Sequence, residues 1–120
     1  MAVNTRQISE AFSGHRFTET YEHLAPDVRW VLLPNQGAIE GKDALVAVCE
    51  SSAAEMAELA KVEFSRFDSV AGDRIAVIDA EARYERPDGS VSVVSSADFY
   101  EFDGNGLVTT ITSYAVEMDA

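Results

Sequence analysis

Three carboxylates and a group of hydroxyls on neighbouring strands are the residues of this chain best suited to chemistry. The stretch from Ala76 to Ala115 reads as two β-hairpins sharing a central strand, with turns at Pro87-Asp88-Gly89 and Asp103-Gly104-Asn105-Gly106. Pairing Arg86 with Val91 across the first turn sets Tyr84 opposite Val93, Ala82 opposite Ser95, Ala80 opposite Ala97 and Ile78 opposite Phe99. On the other face Glu81 then opposes Ser96 and Asp79 opposes Asp98, because side chains alternate with period two. Directly opposed like charges destabilise a sheet, so this pair must be solvated or held in a site that protonates one member. Clustered carboxylates in a pocket cannot all ionise cheaply, and one acquires a raised pKa suited to general acid or base work. Asp98 is the candidate donor or base, with Asp79 and Glu81 as its tuning neighbours. Continuing the ladder with Phe102 opposite Leu107 adds Tyr100, Thr109, Ile111 and Ser113 to the face that carries Ser96 and Asp98.

Blander readings stand beside this one. Arg83 can neutralise the acids in a structural ion pair. Binary patterning alone would instead pack Ile78, Ala80, Ala82, Ala97 and Phe99 under the helices and leave the acids in water. Asp79, Glu81 and Asp98 offer oxygen ligands to a hard cation, but no loop spacing supports a metal site, and none is expected. Cys49 reads as a small buried hydrophobe at the edge of a helix stripe, with no basic neighbour in sequence to activate it. His15, in a corner, and His23, on a short helix, read as solvated.

The elements that must position these groups follow from periodicity. Asn4 or Thr5 caps a first helix carrying Ile8, Ala11 and Phe12, ended by Gly14. Thr18 opens a short second helix through Tyr21 and Leu24, stopped by Pro26. Val28 to Leu33, with Trp30, is a strand buried on both faces and closed by Pro34. The loop Asn35-Gln36-Gly37-Ala38-Ile39-Glu40-Gly41 has the composition of a pocket rim or a plain connector. Lys42 to Ala60 is the main amphipathic helix, with Ala44, Leu45, Val48, Ser52, Met56 and Leu59 along one stripe. A strand from Lys61 to Val70 changes phase between Phe64 and Phe67, which suggests a β-bulge near Ser65-Arg66. The last strand runs from Leu107 to Val116.

The chain has 120 residues, enough for a single domain, 1–120, that buries a core without staples. Its formal net charge of -12 repels phosphate backbones and anionic lipid, so nucleic acid and membrane surfaces are discounted as partners. One cysteine excludes an intramolecular disulfide and suits a reducing compartment. The polar start Met1-Ala2-Val3-Asn4-Thr5-Arg6-Gln7 lacks the apolar segment of a secretory signal, and a cytoplasmic location is expected.

The element order, together with Leu24-Ala25-Pro26-Asp27-Val28-Arg29-Trp30, the helix start Gly41-Lys42-Asp43-Ala44-Leu45 and Asp98-Phe99-Tyr100-Glu101-Phe102-Asp103-Gly104-Asn105-Gly106-Leu107-Val108, resembles the SnoaL-like branch of the nuclear transport factor 2-like superfamily. The resemblance implies an α+β fold in which a cone-shaped, curved antiparallel sheet wraps around the N-terminal helices and one long helix, a cystatin-like α+β barrel. It also implies a mostly apolar pocket on the concave side, which would place the acidic face inside. Asp98 matches the aspartic acid that donates to the oxyanion in ketosteroid isomerases. Leu33 stands where the isomerase base would be, and Phe12 where its tyrosine would be. Against limonene epoxide hydrolases, Glu81 keeps a carboxylate, while Asp79 stands at an arginine position and Ser113 at that of the second aspartate. The polyketide cyclases would also place an acid at Ser113.

These readings combine into two expectations. The first is a cofactor-free isomerase, cyclase, dehydratase or hydrolase that takes a small apolar molecule, with Asp98, Asp79 and Glu81 as acids or bases. Phe12, Trp30, Leu33, Ser96, Tyr100, Phe102, Thr109, Ile111 and Ser113 would line its pocket. The second is a non-catalytic ligand-binding or dimerisation module of the same fold. In either, Ile78, Ala80, Ala82, Tyr84, Val93, Ala97 and Phe99 would form a convex sheet face that a second copy covers, giving a homodimer.

Overall fold

The computed structural model describes residues 4–34 and 36–118. Helix α1 spans Thr5–Ser13 and helix α2 spans Lys42–Ala57; six strands follow the order β1 (Leu24–Leu33), β2 (Gly37–Glu40), β3 (Lys61–Ala71), β4 (Ile75–Glu85), β5 (Val91–Phe102) and β6 (Val108–Met118). Asn35, in the expected loop, and residues 1–3 lie outside the described residues.

The α+β class holds, but the expected barrel does not. The sheet is open, in the order β2-β1-β6-β5-β4-β3, and it is mixed, because β1 runs parallel to β6 while every other neighbouring pair is antiparallel. A parallel pair needs a long connection, and β1 and β6 have the whole stretch from β2 to β5 between them. The ladder between β1 and β6 breaks between Leu24 and Arg29, where Pro26 has no N–H to donate.

Local chemistry explains most of the elements. The Asn4 side chain accepts from the Gln7 N–H at 3.0 Å and caps α1, whose inner stripe is Thr5, Ile8, Ser9, Phe12 and Ser13. The expected second helix is instead two 3-10 turns, Phe17–Glu19 and Tyr21–His23, with the buried Thr20 hydroxyl bonding back to the Phe17 carbonyl at 2.6 Å. Thr and His in so short a segment gain too little from helix propagation to close regular turns. Most of the expected rim loop is strand β2. Ile39 pairs with Trp30 and packs against the core, and Arg29 meets Glu40 at 3.3 Å. Gly41, at φ 94°, lets the chain pass directly from β2 into α2. The β3 bulge falls where its phase change put it, with the register shifting between Phe64 and Arg66.

The register of the first hairpin differs from expectation by one residue. Arg86 N–H bonds the Ser90 carbonyl at 2.9 Å and Gly89 sits at φ 88°, so the loop is Pro87-Asp88-Gly89 with a left-handed glycine, and Glu85 rather than Arg86 pairs with Val91. A one-residue slip exchanges the faces of one strand relative to the other. Asp79 therefore opposes Ala97, and Asp98 opposes Ile78. Ile78, Ala80 and Ala82, expected on a convex interface, are buried under the helices on the same face as Asp98. The core is Ile8, Phe12 and Phe17 against Val28, Leu45, Cys49, Ile78, Tyr100, Phe102, Val108 and Ile111.

The opposite face is bare. Val93, Ala97 and Phe99 of β5 pair there with Met118, Tyr114 and Thr112 of β6, and the Phe99 and Tyr114 rings meet edge-on with centroids 5.7 Å apart. Among the described residues, no helix is long and apolar enough to cross a membrane.

Candidate active site

Asp98 lies on the helix-covered face of β5, partly buried, at the convergence of two hydroxyl relays. Ser13, the last residue of α1, donates to Asp98 Oδ2 at 2.7 Å, and the same hydroxyl bonds the Tyr100 phenol. On the other side Ser113 of β6, paired with Asp98, bonds the carboxylate and receives the Trp30 indole N–H at 2.9 Å. Burial raises the Asp98 pKa above the usual carboxylate range, and the Ser113 and Ser13 hydroxyls pull part of the way back by bonding the anion. The fully buried Tyr100 phenol is held neutral by burial and by the Asp98 charge.

Sequence reasoning missed Ser13, although the signal was present: Ser9 and Ser13 occupy the same stripe as Ile8 and Phe12, and a polar residue on an apolar stripe needs a partner. Ser9 bonds its own helix, at the Thr5 carbonyl, while Ser13 reaches Asp98. The position of Ser13 depends on Gly14, where a Cβ would come within 2.8 Å of the Glu10 carbonyl oxygen.

Asp79 and Glu81 do not join Asp98. Both are on the bare face, where Arg66 contacts Asp79 at 3.1 Å and Glu81 at 3.6 Å; Arg83, the expected neutraliser, pairs with Glu85. Of the expected lining residues, Trp30, Ser96 and Ser113 share the Asp98 face, and Phe12, Tyr100, Phe102 and Ile111 are packed into the core around it. Leu33 pairs with Tyr114 on the bare face, and Thr109 occupies the irregularity at the start of β6, bonding the Glu101 carbonyl. Among the described residues, no group of three or more His, Cys, Asp or Glu side chains could hold a metal ion.

A cleft of about 490 Å³ opens on the covered face between the end of α2 and the β4–β5 hairpin, with Met56, Leu59 and Val94 as apolar walls and Ser92, Arg86 and Glu117 as polar ones. Asp98 is not in its wall. It lies deeper along the same face of β5, past Val94 and Ser96, roughly 13 Å from Val94 at the rise of an extended strand. Tyr84 links the two regions, since it lines the cleft and its phenol is raised by burial and by the Asp98 charge.

Cys49 is fully buried in the middle of the α2 contact, not at its edge, and burial with the Glu50 charge pushes its thiol up to about 12. At pH 8 it should resist a thiol reagent that labels the unfolded chain within minutes, and mass spectrometry of the native protein would show it unmodified.

The SnoaL-like domain family matches residues 5–111. The chain belongs to this family. No curated protein matches it. Among solved structures, an NTF2-like protein of unknown function from Cytophaga hutchinsonii is 26% identical, with a TM-score of 0.77 over 92% of this chain and 94% of that one. RV0760c from Mycobacterium tuberculosis, solved in complex with estradiol-17beta-hemisuccinate, is 20% identical with a TM-score of 0.63 over 90% of this chain and 88% of that one. A putative SnoaL-like polyketide cyclase from Jannaschia sp. is 16% identical, with a TM-score of 0.67 over 90% of this chain and 81% of that one. In this SnoaL-like domain the covered face of the sheet carries both the cleft and the buried acid.

Proposed function

We propose that this SnoaL-like domain binds a small, largely apolar molecule on the covered face and uses Asp98 as its general acid or base, without a cofactor. One observation carries the reading: a carboxyl with a raised pKa, oriented by Ser13 and Ser113, lies on the same strand face as a cleft walled in part by Met56, Leu59 and Val94. A protonated Asp98 can donate to an oxygen that gains charge in an isomerisation, cyclisation, dehydration or hydrolysis, and the anion can take a proton back. Asp79 and Glu81, neutralised by Arg66, have no part in this chemistry. That a similar protein was solved with a steroid ester supports an apolar, ring-bearing ligand.

Carboxyl-carbon NMR tests the acid directly. Asp98 should titrate above the other aspartates, and Ser13→Ala should raise it further, because the lost donor bonded the anion. A titration near 3.9 in both proteins, the ordinary aspartate value, would sink the proposal.

A second reading follows from the place of Asp98 outside the cleft wall: the cleft binds its ligand and no reaction takes place. A thermal-shift screen with hydrophobic metabolites, followed by product analysis of each hit, separates the two, and Trp30, the single tryptophan, reports binding by its fluorescence. We also propose that a second copy of this chain covers the bare face at Val93, Ala97, Phe99, Tyr114, Val116 and Met118 as a two-fold homodimer. Ala97→Glu should shift sedimentation from dimer to monomer, and a monomeric wild type at micromolar concentration would refute the assembly.

A further inference from the structure

We propose that Tyr100 and Trp30 are positioning residues for Asp98: they fix the direction of the Ser13 and Ser113 hydroxyl protons, so that the proton of the neutral acid is kept off both serines and is left for a ligand. This deepens the proposed acid–base role of Asp98 and rests on it. The direction of each bond follows from the donors available. The Ser13 hydroxyl has one proton, which goes to Asp98 Oδ2 at 2.7 Å, so the bond between Ser13 and Tyr100 is donated by the phenol. The Trp30 indole can only donate, so Ser113 is the acceptor of its 2.9 Å bond, and the Ser113 proton goes to the carboxylate.

Both relays therefore run toward Asp98, and neither reverses without loss. For the neutral acid to donate to Ser13, that serine would have to turn its proton to Tyr100. The phenol proton would then lack an acceptor, since among the described residues the fully buried Tyr100 hydroxyl bonds Ser13 alone. For the acid to donate to Ser113, the serine oxygen would have to hold the Trp30 N–H and the acid proton together, and its own proton would lose the carboxylate. Each reversal leaves a buried donor unpaired, a larger loss than one neutral hydrogen bond restores. The serines consequently bond the anion and not the acid, and they stay in place when Asp98 gains or loses its proton. Ser13, Ser113 and Tyr100 are buried, whereas Asp98 keeps part of its surface open, and the acid proton is left to that side.

The titratable groups around the carboxyl do not disturb this arrangement near neutral pH. Tyr100 and Tyr84 of β4 are both raised by burial and by the Asp98 charge, so both phenols keep their protons. Cys49 of α2, near Tyr100, is a neutral thiol. The expectation that His15 is solvated is overturned by its surroundings: its ring packs between Phe17, Phe64 and Tyr84, with centroid distances of 5.7, 5.8 and 6.1 Å, and its Nε2 is 3.0 Å from the Tyr84 hydroxyl. Burial lowers the His15 pKa, which keeps the ring neutral near pH 7. None of these groups is a cation there, so the two serine hydroxyls are what holds the anion.

The single tryptophan gives one indole N–H resonance, which reports on the Ser113 relay in the wild-type protein. An ionised Asp98 draws the Ser113 proton and strengthens the indole bond behind it, so the Trp30 Nε1–H resonance should move with pH at the same midpoint as the Asp98 carboxyl carbon. In Ser113→Ala the acid should still titrate while the indole no longer follows it. Trp30→Phe and Tyr100→Phe each remove the donor behind a serine, which weakens the bond of that serine to the anion and frees it to accept from the acid. Each should raise the Asp98 midpoint by about 0.5–1 pH unit, the worth of one neutral hydrogen bond, whereas a loss of packing alone would lower Tm and leave the midpoint in place. An indole that stays still through the Asp98 titration, an indole that still follows it in Ser113→Ala, or an Asp98 midpoint unchanged in both Phe variants overturns the relays. An Asp98 that titrates at about 3.9 with the indole following it supports the relays and removes the acid–base reading.

Discussion

Asp98→Asn should abolish any turnover, lowering it by about 10²–10⁴-fold as expected for loss of a general acid or base, and should leave the protein more stable at neutral pH. The stability gain follows from the direction of the pKa shift. Burial raises Asp98 in the folded state above its unfolded value, so the folded state holds the extra proton between the two. Its contribution to stability is present below the unfolded pKa and is lost as pH rises through the folded pKa, where a charge must remain buried. The asparagine variant carries no such loss. The difference in Tm between variant and wild type should grow across this window and then level off, with about 1 kcal/mol corresponding to roughly 4 °C in a chain of this size. His15 acts in the opposite sense. Its folded pKa is below 6.5, so the unfolded chain takes up a proton first and stability falls as pH drops from 6.5 toward the folded value. Tm measured from pH 4 to 8 in wild type, Asp98→Asn and His15→Asn separates the two slopes, and parallel curves for wild type and Asp98→Asn would refute a raised Asp98.

Ala80→Glu should unfold the domain rather than dissociate it. Ala80 is 3% exposed on the covered face, between Phe67 of β3 and Ser96 of β5 and against the helix layer. The nearest strand's cation, Arg66, points to the other side with Asp79, and Arg86 lies six residues along the chain, at the cleft, where it bonds Ser92. An unpaired buried charge costs about 3–5 kcal/mol, a large share of the total stability of a small domain. Circular dichroism should show a Tm lower by at least roughly 10 °C or loss of the transition. Ala97→Glu, on the bare face, should keep the wild-type Tm to within a few degrees in dilute solution. Equal loss in both variants would show that the two faces have been assigned wrongly.

Much of the fold could be read from the sequence, and the errors have local causes. Helix α1, the start of α2, the β3 bulge and both hairpin turns are where capping, periodicity and glycine signals put them. The register was lost at Pro87-Asp88-Gly89, because pairing Arg86 with Val91 leaves four residues in the loop, whereas the left-handed glycine closes it in three and brings Ser90 opposite Arg86. That slip separated Asp98 from Ile78 and Ala80 and joined it falsely to Asp79. The polar-face and apolar-face readings each held half of one true face. Across β5 and β6 the face was right, with Ser96, Asp98, Tyr100, Ile111 and Ser113 together, but the ladder is shifted by two residues, so that Ser113 rather than Ile111 opposes Asp98. The roles of Ser13 and His15 depend on how α1 crosses the sheet, a long-range geometry that no window of sequence contains.

The polar cluster at Asp98 also joins parts of the chain that lie far apart in sequence. Strands β3 to β6 form a meander of local hairpins, while β1 has to find β6 from far away in sequence. Asp98, Tyr100 and Ser113 belong to the meander; Ser13 and Trp30 belong to the N-terminal third. The site is therefore a seam, closed when the N-terminal third docks and opened whenever that third lifts away. Amide exchange along β1 and β6 should report this opening, and a ligand seated across the seam should slow it on both strands together while leaving the β4–β5 hairpin unchanged.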